Sequence, residues 1–284
     1  MIPATVHDAC YPAQRRRGLT NLVRSAKLSR AVQPLFATFG IGNGKHMNDR
    51  PTGYLSEAAN VALHEVSTAT LTSQLLKRGF RNTFLGGLMP LRPDVRMVGY
   101  AFTLRYAPMR EDLDLEVDYD NLKNVQRLAI EAIGPEDVLV IDARNDMHSA
   151  SLGNILTTRI KLRGGSGLVT DGALRDANAF RRIDIATYTR GVHATTSSTR
   201  HHPVDMNVPI GCAGVLIMPG DVMVGDADGV VAIPAAVVEE VALAALEQER
   251  LEAFVLTRIQ SGASIIGVYP PDAKTRAEYE AQRG

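Results

Sequence analysis

Two short apolar segments that flank a helical pattern constrain the fold of this chain most. Residues 138–141 (Val-Leu-Val-Ile) and 167–170 (Gly-Leu-Val-Thr) are each typical of a short buried strand. The residues between them predict a helix over 154–163, because Asn154 is a good N-cap and apolar residues recur at helical spacing, namely Ile155, Leu156, Ile160 and Leu162. Two buried strands joined through a helix predict a parallel βαβ unit with a right-handed connection, and hence an α/β fold.

The remaining chain alternates between helical and strand-like patterns. Apolar spacing and capping residues predict helices over 55–65, 69–77, 122–133 and 235–260. Strands are predicted over 98–106 and near 185–189, and three apolar runs separated by Gly-rich turns predict β structure over 214–233. A short helix is expected in the tail that follows Tyr269.

The ends of the βαβ unit carry the residues that indicate chemistry. The segment Gly153-Asn154-Ile155-Leu156 opens the predicted helix, and Arg175-Asp176 follows the second strand. A helix N-terminus presents unpaired backbone N–H groups to a carboxylate, an arginine can bind the same carboxylate through two donors, and an aspartate can hold a hard cation. Ligands of α/β folds bind beyond the carboxyl ends of the strands. These segments therefore predict a site for a 2-oxo acid on a divalent metal.

Four segments together resemble the RraA-like superfamily, and the resemblance extends over roughly residues 55–280. The segments are residues 152–156, 170–176, 208–211, and 219–222 running on to 229–231. The superfamily includes class II aldolases for 4-hydroxy-4-methyl-2-oxoglutarate and 4-carboxy-4-hydroxy-2-oxoadipate, and a protein regulator of RNase E. The resemblance implies an α/β fold of the swivelling β/β/α type, which assembles as a homotrimer or a hexamer with sites at subunit interfaces.

The resemblance also implies a role for each site residue. Asp176 would ligate Mg²⁺ or Mn²⁺, and Arg175 would bind the carboxylate or oxo group of the substrate. The substrate-binding loop would consist of Gly153, Asn154, Ile155 and Leu156. The implied activity is that of a metal-dependent lyase, which cleaves or decarboxylates a 2-oxo acid and gives pyruvate through a metal-stabilised enolate. A single protein carboxylate is reasonable for Mg²⁺, because this ion keeps several waters.

Asn154 departs from the family pattern. The aldolases carry an Asp, then twenty residues, then Arg-Asp, and counting back from Arg175 the Asp position is Asn154 here. An amide can hold a metal-bound water by a hydrogen bond but cannot accept its proton. Asn154 is therefore predicted to act with Arg175 and Asp176 as the residue that positions water, and the acid/base group stays open.

Two other functions stay open at this point. A non-catalytic regulator that binds an RNase through its surface is compatible with the chain, because regulators of the superfamily can keep the same Arg-Asp pair. A dehydratase or hydrolase of sugar-derived oxo acids on the same scaffold is favoured by Asn154. The three histidines His193, His201 and His202 match no metal-ligand spacing. Glu249 and Glu252 are candidates to reach the site of an adjacent subunit, as an acidic residue does in the aldolases.

The charge of the chain is unevenly distributed. Residues 1–46 hold seven basic side chains and one acid, and subtracting these from the totals of 31 and 31 leaves 24 basic and 30 acidic residues, so the segments carry +6 and −6. We expect residues 1–46 to be a basic, disordered extension and residues 47–284 to form the RraA-like domain. The net negative charge of residues 47–284 argues against nucleic-acid binding.

The two cysteines, Cys10 and Cys212, lie in unrelated contexts and support neither a disulfide framework nor a zinc cluster. The apolar runs are too short to span a bilayer, so no membrane partner is expected. The composition therefore predicts a reduced cytoplasmic protein.

Overall fold

Helices and strands alternate along the part of the chain that the computed structural model describes, residues 55–117 and 122–283, with only the backbone described for 115–117. The basic segment 1–46 lies outside the described residues. The helices are α1 (Glu57–Glu65), α2 (Thr68–Lys77), α3 (Glu111–Val117), α4 (Val125–Ala132), α5 (Asn154–Leu162), α6 (Ala177–Phe180), α7 (Val238–Gln260) and α8 (Ala273–Arg283). The strands are β1 (Met89–Pro90), β2 (Met97–Pro108), β3 (Asp137–Asp142), β4 (Gly167–Leu174), β5 (Ala186–Val192), β6 (His201–Met206), β7 (Ile210–Cys212), β8 (Val215–Ile217), β9 (Val222–Gly225) and β10 (Val230–Ile233).

An eight-stranded, curled mixed sheet organises the domain. Its order is β1-β5-β4-β3-β2-β9-β10, and β6 pairs with the end of β2. The four central strands β2, β3, β4 and β5 are parallel, and one row across them joins Thr103, Val140, Val169 and Tyr188. The predicted parallel βαβ unit is therefore present as β3-α5-β4. The observed α/β fold with its curled sheet confirms the predicted fold class.

One segment connects the two edges of the sheet. Leu85 N–H donates to Val230 O (2.9 Å), and Ala232 N–H donates to Thr83 O (2.9 Å), so this segment pairs with β10. A few residues later Met89 pairs with Thr189 of β5 at the opposite edge. The curl of the sheet brings these edges close enough for one short stretch of chain to bridge them.

The buried residues form three apolar clusters, and successive side chains of one strand point into different clusters. In β3, Val138 and Val140 point into a cluster with β7 and β8, whereas Leu139 and Ile141 pack on the side of α4 and α5. The third cluster packs α1, α2 and α7 against β9 and β10. The side chains of Ser56 and Ser67 cap α1 and α2. Among the described helices, none is both long and apolar enough to cross a membrane.

Two boundaries, at the start of α4 and at the end of β4, differ from the sequence prediction. Helix α4 begins at Val125 and not at 122, because Asn124 Oδ1 accepts the Arg127 N–H (3.2 Å) and caps the helix there. Strand β4 does not end at Thr170 but continues to Leu174, with a register shift between Thr170 and Ala173. Its bulge absorbs the Asp171-Gly172 pair, which the sequence pattern had indicated as the start of a loop.

The predicted apolar face of α5 is also corrected. Ile160 is fully buried, whereas Ile155 and Leu162 are 76% and 74% exposed. The buried stripe runs through Thr157 and Ile160, three residues apart. Because Ile155 and Leu162 lie seven residues apart, they share a different stripe of the helix, which faces outward.

Candidate active site

The loop before α5 lies along the last residues of β4 and brings the two predicted segments together. Ala150 forms a parallel bridge with Ala173, and Ser151 N–H donates to Ala173 O (2.7 Å). Arg175 N–H then donates to Leu152 O (3.1 Å). These backbone bonds place Gly153, the residue before α5, directly beside Arg175-Asp176 at the carboxyl end of β4.

The N-terminus of α5 differs from the prediction in its cap. Gly153, not Asn154, occupies the N-cap position, and it offers no side chain for capping. Asn154 is the first helical residue, and its backbone N–H donates to Asp176 Oδ2 (3.2 Å). The carboxylate of Asp176 therefore supplies the cap from 22 residues away in the chain, where the helix dipole favours a negative charge. In the described part of the chain, no group accepts a hydrogen bond from the N–H of Ile155 or Leu156.

Arg175 and Asp176 form a half-exposed pair against Gly153. The Nε of Arg175 lies 3.7 Å from Asp176 Oδ2, and the side chains are 42% and 41% exposed. A Cβ built on Gly153 would collide with Asp176 Oδ2 and would lie 2.8 Å from Arg175 Nε. Only glycine leaves room for both charged groups at this position. Asp176 itself has left-handed backbone geometry, with φ 64° and ψ 37°.

A cavity of about 230 Å³ opens beside this pair. Its lining includes part of both predicted segments but neither Asn154 nor Asp176, and it also includes four polar residues that the sequence did not indicate. Those four are Gln126, Arg127, Thr196 and Ser197. The remaining lining residues are Ala150, Leu152, Gly153, Ile155, Leu156 and Arg175. The missed residues carry no motif, because they come from α4 and from the loop before β6, which only the tertiary fold brings to α5.

Hydrogen bonds fix the walls of the cavity. Gln126 Nε2 donates to Ser151 O (2.7 Å) and also contacts the hydroxyl of Tyr106, so α4 is tied to the loop that leads into Gly153. Burial raises the pKa of Tyr106, which stays protonated and donates to Ser151 O (3.1 Å). On the other side, Ala150 N–H donates to Thr195 O (2.9 Å).

Asp146 anchors the same loop to the segment before β6. Its Oδ2 accepts from Arg200 Nε (2.8 Å), and its Oδ1 accepts from the backbone N–H of His148 (2.8 Å). Burial alone would raise the pKa of Asp146, but these hydrogen bonds outweigh it and hold the pKa well below the usual range for Asp. The carboxylate therefore stays charged and holds the loop that contains Asp146 against the segment that contains Arg200.

Asp171 supports the backbone of the site and does not face the cavity. It is fully buried in the bulge of β4, and it accepts from Ala143 N–H (2.7 Å) and Ala213 N–H (3.2 Å). Burial raises the pKa of Asp171. These bonds join the end of β3 to the β7–β8 hairpin. Asp171 is thus a structural residue behind the site.

Asp176 is the described carboxylate that fits a divalent metal here. Among the described contacts, those of its carboxylate use Oδ2, so Oδ1 is available. Across the described residues there is no cluster of three or more His, Cys, Asp or Glu side chains that would enclose an ion. A single carboxylate with water and substrate oxygens suits Mg²⁺ or Mn²⁺.

Two of the histidines and Glu249 contact other groups. His201 is buried against Tyr106, and His202 pairs with Asp114. Glu249 accepts from the backbone N–H (2.8 Å) and the hydroxyl (2.7 Å) of Ser67, so its carboxylate is already committed to the start of α2. In this chain Glu249 is therefore a structural residue of the α2–α7 contact.

Comparison with known proteins gives a consistent family and architecture. A family model described as RraA-like (Aldolase/RraA) matches residues 65–232. The crystal structure of an uncharacterized protein from Pseudomonas syringae pv. tomato aligns with a TM-score of 0.65 at 25% identity, over 76% of this chain and 98% of that one. Streptomyces coelicolor RraAS2, described as an unusual member of the RNase ES inhibitor RraA protein family, aligns with a TM-score of 0.62 at 32% identity, over 72% and 97%.

A sequence relative carries the name of an aldolase. A protein of Halalkalibacterium halodurans, provisionally named a 4-hydroxy-4-methyl-2-oxoglutarate aldolase, is 37% identical over 147 residues. The alignment covers 52% of this chain and 64% of that relative. The chain thus matches slightly less than two thirds of the relative's length.

Proposed function

Because this chain belongs to the RraA-like family, we propose that it is a divalent-metal-dependent lyase that cleaves a 2-oxo acid, by retro-aldol cleavage or decarboxylation, to give pyruvate. The similarities support an aldolase-like or RraA-like role in general. The specific reaction rests on the geometry at the start of α5.

The contact of Arg175 and Asp176 with Gly153 carries the proposal. A cation and the N–H groups of Ile155 and Leu156 thereby lie at one small cavity, and the carboxylate of Asp176 lies next to Arg175, just outside the lining. A substrate carboxylate there would accept hydrogen bonds from the two N–H groups, where the helix dipole favours an anion. The arginine beside them supplies charge-assisted hydrogen bonds to the carboxylate or to the neighbouring 2-oxo group.

Each residue has a defined task in the proposed reaction. Asp176 would hold the cation, which as a Lewis acid polarises the 2-oxo group. When the bond between C3 and C4 breaks, its electron pair stays on the pyruvate fragment, and Arg175 would stabilise the negative charge on the enolate oxygen. Asn154 would orient a water through its amide. Because an amide does not accept a proton at neutral pH, another group or solvent takes the proton that leaves the C4 hydroxyl as the C4 carbonyl forms. Solvent would return a proton to C3 of the enolate to give pyruvate.

A screen of the purified protein with oxo acids tests the proposal. We expect pyruvate release from 4-hydroxy-4-methyl-2-oxoglutarate or oxaloacetate with Mg²⁺ or Mn²⁺, and loss of release after chelation. Asp176→Asn keeps the shape of the side chain but removes the anionic ligand, so turnover should fall at least about 100-fold with an unchanged circular dichroism spectrum. If chelator leaves every accepted substrate unaffected, the metal mechanism is wrong.

A non-catalytic regulator is the second candidate, and the 32% identity to the RNase ES inhibitor family member favours it. It predicts that the protein is captured by an immobilised RNase of the E type and lowers its cleavage rate. Asp176→Asn separates the two functions, since a surface interaction should survive this substitution while a lyase should not.

Assembly as a homotrimer or hexamer is a further part of the proposal. Light scattering after size-exclusion chromatography should then give a mass of three or six chains of 30.7 kDa. A monomer at micromolar concentration would contradict it.

A further inference from the structure

The cavity beside α5 contains a second arginine that the proposed reaction does not use. Arg127 of α4 lines the cavity together with Arg175, and no Asp or Glu lies in the lining. Within the residues that the structure describes, no carboxylate pairs with Arg127, whereas the neighbouring Arg159 and Arg163 both pair with Glu131. A cation that lines a cavity without an anionic partner indicates a place where a ligand supplies the anion.

The position of Arg127 is fixed by its surroundings. Its Nη1 donates to the Oε1 of Gln126, whose own amide is held by Ser151 O and Tyr106. A guanidinium has five N–H donors, so this contact leaves others for a ligand. The side chain is therefore prepared to bind and does not have to be ordered first.

An ion pair one helical turn from Arg127 joins α4 to α5. Glu131 lies one helical turn after Arg127, and its two oxygens accept from Arg159 Nε (2.9 Å) and Nη2 (2.7 Å). Arg159 in turn lies one turn after Ile155, which lines the cavity. The faces of α4 and α5 that meet in this ion pair are thus the ones that bound the cavity.

We infer that Arg127 binds the distal carboxylate of a dicarboxylic 2-oxo acid whose reacting end lies at Arg175. The inference rests on the proposed function for the identity of the reacting end. The side chains of Leu152, Ile155 and Leu156 supply an apolar lining, which suits the carbon chain between two anionic ends. Arg127 is accordingly a residue that determines specificity for substrates with two carboxylates.

Two unreactive ligands of equal chain length test this role. 2-Oxoglutarate and 2-oxopentanoate share the 2-oxo acid end and differ in the distal carboxylate, and neither has the 4-hydroxyl group that retro-aldol cleavage needs. Calorimetry with Mn²⁺ present should show that the wild-type protein binds 2-oxoglutarate about 10- to 100-fold more tightly. Arg127→Gln should remove this preference and leave 2-oxopentanoate binding within about twofold, and Arg127→Lys should retain part of it.

The other outcomes overturn the inference. If wild-type protein does not prefer 2-oxoglutarate, or if Arg127→Gln leaves the preference intact, Arg127 does not bind the distal group. If Arg127→Gln weakens both ligands equally, Arg127 only supports the wall of the cavity. Failure of the proposed function is distinguishable, because a protein that releases no pyruvate from any oxo acid can still show the predicted difference in binding.

Discussion

Replacement of Gly153 by alanine tests the geometry of the site more directly than removal of a charged group does. Gly153 has φ −129° and ψ −171°, which alanine adopts without strain, so the backbone does not oppose the change. The added methyl carbon would collide with Asp176 Oδ2 and would lie 2.8 Å and 3.0 Å from Arg175 Nε and Cγ. The three atoms nearest to the added methyl group therefore all belong to Arg175 and Asp176.

The size of the effect follows from these distances. Ordinary contact begins near 3.4 Å, so Arg175 has to retreat by about 0.6 Å and Asp176 by more. Asp176 Oδ2 already lies 3.2 Å from the N–H of Asn154, and a further retreat breaks that bond. Overpacking of a core costs about 1–3 kcal/mol, and the cost here should lie at the lower end because both side chains are half-exposed and can move. The lost hydrogen bond costs about 1 kcal/mol. A domain stable by about 5–15 kcal/mol stays folded.

We expect Gly153→Ala to lower the catalytic rate much more than it lowers the stability of the fold. A displacement of about 1 Å of a positioning group costs on the order of 100-fold in rate. We expect kcat/KM of Gly153→Ala for the preferred oxo acid to fall by about that factor, with a modestly lower Tm. The matched control is Gly86→Ala, where a new Cβ meets no atom within 4 Å. If Gly153→Ala keeps kcat/KM within about threefold of wild type and binds Mn²⁺ equally well, the contact does not hold the site together.

Three further predictions concern other residues. Asn154→Asp restores a proton acceptor, so it should retain or increase lyase activity if Asn154 only positions water. Loss of the native activity without new aldolase turnover would instead favour a dehydratase or hydrolase of sugar-derived oxo acids. Burial lowers the pKa of His201 to about 4 from 6.5, so the unfolded chain binds a proton at a higher pH than the folded chain does. The free energy of unfolding should therefore fall by up to about 3 kcal/mol as the pH is lowered from 6.5 to 4. His201→Phe keeps a ring beside Tyr106 and should flatten this pH dependence in denaturant titrations. A chain that starts at Met47 should fold, assemble and turn over substrate as the full chain does, and loss of any of these would show that residues 1–46 contribute.

Local patterns predicted the elements that carry the site. The apolar runs of β3 and β4 and the spacing of α5 are properties of consecutive residues, so the βαβ unit and its site segments followed from the sequence. The cap of α5 did not, because Asp176 reaches it from 22 residues away and replaces the expected role of Asn154.

The remaining wall of the cavity was beyond sequence reasoning for a related reason. Arg127 belongs to a helix that was predicted, but its position next to α5 depends on the ion pair between Glu131 and Arg159 and on the buried bonds of Gln126. Neither contact has a local signature. Likewise, the exposure of Ile155 follows from which stripe of α5 the sheet covers, and helical spacing alone leaves that choice open.

The left-handed geometry of Asp176 has an evolutionary consequence. Asparagine and glycine adopt this region of φ and ψ at least as readily as aspartate does, and asparagine keeps an oxygen that can accept the N–H of Asn154. The backbone therefore does not require a carboxylate here, and its loss should cost no more than about 1 kcal/mol of helix-dipole interaction. A lineage released from selection for turnover could drift to Asn or Gly at this position and keep the same fold. Under the proposed function, one substitution would then separate a protein that turns over substrate from one that only binds.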